Sequence, residues 1–232
     1  MIYIILMIYL IVVRYEIGRS PQEKYITRRA HASRVPPKLK LVTIVSNENV
    51  AKLLSDPMRR AILNILREMP MNETQLAKRL GLTDATINYH LAILRKARLL
   101  IIAKKDVEGH GIVQKFYLPS SYLYLADVEH LPRGVARYYF PINIERVRGA
   151  LSSFESAALK MDNVTASRVD EMGEQLAMIL VSIAREYLDE NVEPGSGEPR
   201  VNEIYSRAFR KLFPAIAGHD SGDNEAGQRQ KS

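Results

Sequence analysis

Hydrophobic and polar positions fall into a helical pattern soon after a short β-prone run at Lys40–Val45. Across residues 47–69 apolar side chains recur every three or four positions, which is the spacing of a helix with one buried face. Asp56 and Pro57 interrupt this stretch. Because proline lacks the backbone N–H that a helix interior requires, we expect two helices with a break before Pro57.

The next pattern is a short helix followed by a longer one and then two strands. The spacing predicts helices over 73–80 and 84–97, with Gly81 at the position where a left-handed residue ends the first helix. Two β-prone runs at 99–103 and 112–118 enclose a turn that contains two glycines. The order of helix, helix, turn, helix and hairpin is that of a winged helix-turn-helix.

Beyond Pro119 the apolar pattern indicates further helices. A Tyr- and Leu-rich stretch at 120–128 has no clear period, and two helices are predicted over 144–160 and 166–190. Residues 191–199 (NVEPGSGEP) indicate a loop, and a third helix is predicted over 201–213. The apolar stripes of the last two helices require burial, so we expect them to form a dimer interface, pack on the winged domain or enclose an apolar effector.

These patterns predict a mainly α fold with a small β-hairpin wing, in which a C-terminal helical domain follows a winged helix-turn-helix domain. The expected division is an apolar segment and basic arm at 1–39, the DNA-binding domain at 40–119, a helical dimerisation or effector region at 120–215, and a disordered tail at 216–232.

Residues 1–13 (MIYIILMIYLIVV) form an uncharged apolar segment that is shorter than the roughly 20 residues of a bilayer-spanning helix. Three interpretations are open: a buried or frayed segment, a start codon assigned too far upstream, or a short membrane anchor. Arg14, Arg19 and Lys24 follow it, so an anchor would hold the rest of the chain on the cytoplasmic side. Membrane contact is not the favoured interpretation.

Charge and composition narrow the class of protein. The 232 residues carry a net charge of +7, with +6 in residues 14–40, +5 in residues 47–118 and −4 in residues 119–232. A basic first half suits a polyanionic partner. Cysteine is absent, which excludes disulfides and thiolate metal sites and is consistent with a cytoplasmic protein.

Three motifs in order resemble one family. The runs LLSDPMRRAILNIL and ETQLAKRLGLTDATINYHLAILRKARLL, followed by a glycine-containing hairpin that ends in KFYL, resemble ArsR-type winged-helix transcriptional regulators, most closely the archaeal branch without metal ligands. The resemblance covers about residues 40–118, a third of the chain. It implies a winged helix-turn-helix fold that binds double-stranded DNA.

The helix predicted over 84–97 has the composition of a recognition helix. At 100° per residue Ile87, Leu91 and Leu94 share one face, while small and polar residues occupy the other. Short side chains permit close approach to the major groove, and amide, hydroxyl and phenol groups can bond to base edges or phosphates. Asn88 in particular can pair with adenine.

The predicted DNA-binding residues lie on both helices of the motif and on the wing. They are Thr74, Gln75, Lys78, Thr83, Ala85, Thr86, Asn88, Tyr89, Lys96, Lys104, Lys105, His110 and Lys115. Thr83 is also expected to cap its helix, and Arg95 and Arg98 are further candidates for the DNA backbone.

Three other residues are expected to support the fold. His90 is expected to pack with one hydrogen bond to the neighbouring helix, with a phosphate contact as the alternative. In the resembling family a basic residue at Arg59 or Arg60 ties its helix to the wing, so we expect a structural role for these two.

No catalytic or metal-binding constellation is recognisable, so we expect no enzyme activity, no cofactor and no metal ion. The favoured function is a sequence-specific transcriptional regulator that binds DNA as a homodimer and that an unidentified small molecule or protein could control. Two alternatives stay open: a non-specific architectural DNA binder, and a winged-helix module that binds a protein.

Overall fold

The computed structural model describes residues 37–107, 113–156 and 165–213. The strands are β1 (Leu39–Val45), β2 (Leu100–Val107), β3 (Val113–Pro119), β4 (Ser121–Ala126) and β5 (Asn191–Val192). The helices are α1 (Glu48–Leu54), α2 (Pro57–Leu66), α3 (Glu73–Leu80), α4 (Asp84–Lys96), α5 (Arg133–Ala136), α6 (Phe140–Ser156), α7 (Ala166–Ala184) and α8 (Glu198–Leu212), with a short 3-10 turn at Arg185–Tyr187 after α7.

The predicted break in the first helical stretch is confirmed. Asn47 caps α1 by accepting a hydrogen bond of 3.1 Å from the backbone N of Val50. Asp56 caps α2 in the same way, accepting from the N of Arg59 at 3.1 Å, and Pro57 takes the first helical position. A proline at this position loses no helical hydrogen bond, so the Asp56-Pro57 pair starts a helix as it ends the previous one.

The winged helix-turn-helix predicted from the sequence is confirmed. Gly81 ends α3 with φ of 66°, a left-handed conformation that glycine adopts without the steric cost of a Cβ. Strands β2 and β3 form an antiparallel hairpin with a register shift between Ile102 and Lys104. Strand β2 extends beyond the predicted end at residue 103, because its pairing with β3 continues to Val107, opposite Val113. The five residues between them lie outside the described residues.

A second sheet was not predicted from the sequence. Strand β1 lies in its centre, parallel to β4 along the Tyr- and Leu-rich stretch and antiparallel to β5. The expectation that residues 191–199 form only a loop is therefore wrong. Asn191 and Val192 pair with β1, and α8 starts at Glu198.

Two hydrophobic cores hold the described residues together. The winged core buries Ile62, Leu66, Leu76, Ile87, Leu91 and Leu94. The C-terminal core buries apolar residues of β1, β4 and helices α6 to α8, among them Leu39, Leu41, Val147, Leu176, Leu180 and Ile204. The two cores are not separated along the chain at residue 119. Strand β1 lies before this residue but packs into the C-terminal core, whereas Leu131 and Val135 lie after it and pack into the winged core. The division at 119 remains a prediction.

The apolar stripe on which the dimer expectation rested is buried within the chain. Val169, Met172, Leu176, Leu180 and Ile183 of α7 all pack in the C-terminal core. Their burial therefore needs no second copy. Within the described ranges no helix is long and apolar enough to cross a membrane. The segment 1–13, the basic arm up to residue 36 and the tail 216–232 lie outside these ranges.

Gly173 permits the close contact between α6 and α7. A Cβ at this position would lie 2.5 Å from Cγ1 of Ile144 and 3.0 Å from its backbone N, which is closer than packed atoms approach. We expect Gly173→Ala to force the helices apart and to lower the free energy of unfolding by about 1–3 kcal/mol, the usual cost of an overpacked core. Thermal or denaturant unfolding measures this change.

Gly134 in α5 provides the matched control for this substitution. A Cβ there meets nothing within 4 Å. Gly134→Ala should leave stability unchanged or raise it slightly, since it restricts the unfolded chain. Equal losses in the two variants would show that the contact at Ile144 is not the cause.

Candidate nucleic-acid interface

Packing of α4 on the winged core fixes which of its faces is outward. Ile87, Leu91 and Leu94 are at most 1% exposed, and they lie in the same core as Leu76 and Ala77 of α3. The face predicted to be buried is therefore the buried face. A rotation of α4 about its axis would lose this packing. The buried residues therefore determine which residues of α4 face outward.

The outward face of α4 carries the side chains predicted to reach DNA. Ala85, Asn88, Tyr89, Ala92 and Lys96 are exposed, and Tyr89 retains 62% of its accessible surface. The Tyr89 ring stands edge-on to the His90 ring, with centroids 5.3 Å apart. Apart from this contact the face is exposed, and its two alanines have side chains that project little from the helix.

The two threonines at the start of α4 form its cap. The hydroxyl of Thr83 accepts a hydrogen bond of 3.2 Å from the backbone N of Thr86, and the two hydroxyl oxygens are 2.9 Å apart. The predicted cap is confirmed. Thr83 thus stabilises the helix that presents the face, whether or not it also touches DNA.

Two of the predicted residues on α3 take part in contacts within the protein. Gln75 closes a capping box: its side chain accepts from the backbone N of Asn72 at 3.1 Å, and its own N donates to Asn72 at 2.8 Å. The hydroxyl of Thr74 donates to Asp84 at 3.2 Å, which links the starts of α3 and α4. Lys78, by contrast, is exposed and has no ion-pair partner among the described residues.

The wing is fixed to α3 by a contact that the sequence analysis missed. The Asn72 side-chain amide donates to Gln114 of β3 at 2.7 Å, and Met71 pairs with Tyr117 of the same strand. The signal for the capping box, Asn72 three residues before Gln75, was visible in the sequence. The partner across 42 residues was not, because no local pattern specifies it.

The basic residues of the wing differ in their exposure and in whether a carboxylate pairs with them. Lys104 forms an ion pair with Asp106 at 2.8 Å and lies 4.0 Å from the centre of the Phe116 ring. Lys105 is exposed and Lys115 half-buried, and neither has an ion-pair partner within the described ranges. His110 lies outside the described residues. Among the described cations of the wing, Lys105 is therefore the one that is both exposed and without an ion-pair partner.

Four cations of α3, of α4 and of the junction after α4 lack a carboxylate partner among the described residues. They are Lys78, Arg79, Lys96 and Arg98, and all four are exposed. Arg98 has φ of 58°, an uncommon conformation for a residue with a side chain, at the junction of α4 and β2. Arg95 differs from these four because its guanidinium lies 5.9 Å from the centre of the Tyr117 ring.

Arg59 and Arg60 have the structural role that was expected, but with another partner. Arg59 donates to the carbonyl of Leu53 at 3.1 Å, and Arg60 donates to the carbonyls of Leu54 and Ser55. These carbonyls lie at the end of α1, where no backbone N–H of the same helix can donate to them, so the two arginines supply the missing hydrogen bonds. They therefore tie α2 to α1 and not to the wing.

His90 departs from its expected role. Its ring lies half-buried beside Tyr89, but the buried Nδ1 has no hydrogen-bond partner within the described ranges. The expected hydrogen bond from His90 to the neighbouring helix is therefore not made by Nδ1 among the described residues. Among the described residues no cluster of His, Asp and Glu could hold a metal ion.

Comparison with known proteins relates the segment that carries this face to a family. Residues 56–101 match the model of the bacterial regulatory protein arsR family. This segment is of the ArsR type. The ArsR-type match runs from the cap of α2 through α4 into β2, so it contains the outward face described above and confirms the resemblance seen in the motifs.

One curated relative adds to this assignment. The chain is 36% identical over 52 residues to the transcriptional repressor SdpR of Bacillus subtilis (strain 168). This alignment covers 22% of the present chain and 58% of the repressor. It shows a shared segment and leaves most of the present chain outside the comparison.

The cap of α4 can be tested separately from any contact with a ligand. Thr83→Ala removes the side-chain acceptor for the backbone N of Thr86, so we expect the free energy of unfolding to fall by about 1 kcal/mol. Thr83→Asn keeps an acceptor at the cap and should retain stability. Thermal unfolding of both variants checks this, and equal melting of Thr83→Ala and the unchanged chain would contradict it.

Proposed function

We propose that this chain is a transcriptional regulator that binds double-stranded DNA and recognises sequence through α4. The observation that carries the proposal is the outward face of α4, which is small and polar, together with exposed cations of α3, α4 and the wing that have no carboxylate partner among the described residues. The similarity of part of the chain to a transcriptional repressor supports the same function. The first half of the chain is basic and the second half is acidic, which is consistent with DNA binding by the first half alone.

The proposed mechanism places α4 in the major groove. Ala85 and Ala92 permit close approach of the helix, and Asn88 presents an amide that can donate to N7 and accept from N6 of adenine. Tyr89 is largely exposed and can contact a base or a phosphate. Lys96 and Lys78 lie towards the ends of the two helices, where cations meet the DNA backbone.

The wing adds contacts beside the groove. Lys105 and Lys115 would reach phosphates or the adjacent minor groove, while the Asn72–Gln114 bond holds the hairpin at a fixed angle to α3. Lys104 contributes less, because Asp106 already neutralises part of its charge.

We also propose that the chain acts as a homodimer. A single recognition helix contacts only a few base pairs, and winged-helix regulators gain specificity when two helices occupy successive major grooves. The buried stripe of α7 gives this proposal no support, so the dimer interface would use surface outside the C-terminal core. Sedimentation at micromolar concentration tests it, and a monomer in the presence of the preferred DNA would remove it.

Fluorescence anisotropy across a salt series tests the function itself. One duplex carries the sequence upstream of the protein's own gene, and the other carries a scrambled version of it. A specific regulator should prefer the first by at least about 10³-fold. Equal binding with a steep salt dependence would favour the architectural alternative, and no binding at low salt would contradict both DNA-binding proposals.

Asn88 tests base recognition. Asn88→Ala removes the amide without altering the buried face of α4, so the fold should be unaffected. We expect discrimination at one base pair to fall by about 1–3 kcal/mol while binding to the scrambled duplex stays the same. Competition with duplexes substituted at single positions measures this loss. An equal loss on all duplexes would assign Asn88 to the backbone.

Lys105 tests the phosphate contact of the wing. Lys105→Gln should weaken binding to both duplexes alike and reduce the slope of log K against log salt by about 1. Lys211→Gln, at an exposed lysine of α8 that no carboxylate of the described residues pairs with, is the matched control and should leave both quantities unchanged. If the two variants behave alike, the wing does not contact DNA.

A further inference from the structure

A cleft between the two cores has the composition of a ligand site. It has a volume of about 140 Å³, and its apolar lining includes Leu54 and Leu63 from the winged core and Leu125 and Leu180 from the C-terminal core. A protein cavity of about 150 Å³ with such a lining accommodates a benzene ring. The cleft therefore has room for one small apolar group.

The charged residues of the cleft are all of one sign. Arg60, Arg67 and Arg146 line it, and no Asp or Glu is among its lining residues. Arg67 forms an ion pair with Glu68 at 3.2 Å, whereas Arg60 and Arg146 have no ion-pair partner among the described residues. A bound anion would compensate the charge of these two guanidinium groups.

The three arginines keep donors available. Arg146 uses one nitrogen to donate to Asn143 at 3.0 Å and stacks on the Tyr205 ring at 5.1 Å. Arg67 uses only Nε, towards Glu68, and Arg60 uses one nitrogen for the carbonyls at the end of α1. Since a guanidinium has five N–H donors, each can still bind an anion.

The phenols of the cleft are less available than the guanidiniums. Tyr139 donates to the carbonyl of Ala51 at 2.6 Å, and Tyr122 donates to Glu68 at 2.9 Å. Burial raises the pKa of Tyr139 to about 12, against the smaller opposing effect of Arg60, so this phenol stays neutral near pH 7. The apolar lining of the cleft strengthens any hydrogen bond between an arginine and an anion.

We propose that this cleft binds a small organic anion, a carboxylate carried on an aromatic or branched aliphatic body. The body occupies the apolar part, and the carboxylate accepts hydrogen bonds from the arginines. Arg146 is the principal donor because it is half-buried and no carboxylate of the described residues pairs with it. Since both cores line the cleft, the ligand would bias their relative position and thereby DNA binding. That last step alone rests on the proposed function.

Benzoate and its neutral analogue benzamide test the binding step on the full chain without DNA. Isothermal titration should give a single benzoate site with a Kd of roughly 10 μM to 1 mM, the range usual for a ligand of this size. Benzamide should bind at least ~10-fold more weakly, because it lacks the charge that the arginines recognise. Equal affinities, or no benzoate binding up to about 10 mM, would overturn the proposal.

Variants on one helix locate the site. Arg146→Gln should weaken benzoate at least ~10-fold and leave benzamide unchanged. Arg148→Gln is the matched control, since Arg148 is exposed on the same helix and pairs with Glu145. An equal effect of the two variants would overturn the assignment. If Arg146→Gln does not fold, the comparison of benzoate with benzamide on the unchanged chain still decides the proposal.

Tyrosine ring signals separate this cleft from the DNA-binding surface. Benzoate should shift the NMR signals of Tyr139 and Tyr205 and leave Tyr89 on α4 unchanged. A shift confined to Tyr89 would place the anion on the basic face and overturn the proposal. Benzoate binding that leaves DNA affinity unchanged would instead contradict only the coupling between the cleft and the DNA.

Discussion

Burial of one apolar face of α4 is the constraint on which the candidate interface depends. Ile87, Leu91 and Leu94 fill the winged core, and a helix has only one orientation that buries all three. The same constraint turns Asn88 and Tyr89 outward. The cap at Thr83 and the left-handed Gly81 set where the helix begins and how it follows α3. Fold and site thus follow from the same few residues.

The second sheet joins this unit to the rest of the chain. Strand β1 precedes the winged helices but pairs with β4, which follows the wing. The side chains of Thr43 and Ser121, which are in contact across these strands, are 78 residues apart in the sequence. A segment after the wing, including Val135, returns to the winged core. Because the chain crosses between the cores in both directions, each core is built from segments that are distant along the chain. The arginine-lined cleft lies at that junction.

Local signals explain what could be predicted from the sequence. The helices of the winged unit have caps, a proline start or a glycine end, so their bounds and their buried faces were predictable. The parallel pairing of β1 with β4 was not, since neither strand has a local partner and the Tyr-rich stretch has no clear period. The cleft was equally hidden, because Arg60, Arg67 and Arg146 are brought together only by packing of the two cores.

The central claim is that α4 enters the major groove, and photo-crosslinking tests it most directly. Tyr89 is exposed, so p-benzoylphenylalanine can replace it with little change to the fold, and Leu188, exposed beyond α7, takes the same label as the control. On irradiation with the preferred duplex, the account predicts crosslinks from position 89 to bases at a fixed place in the site and none from position 188. Crosslinks from position 188 with none from position 89 would contradict it.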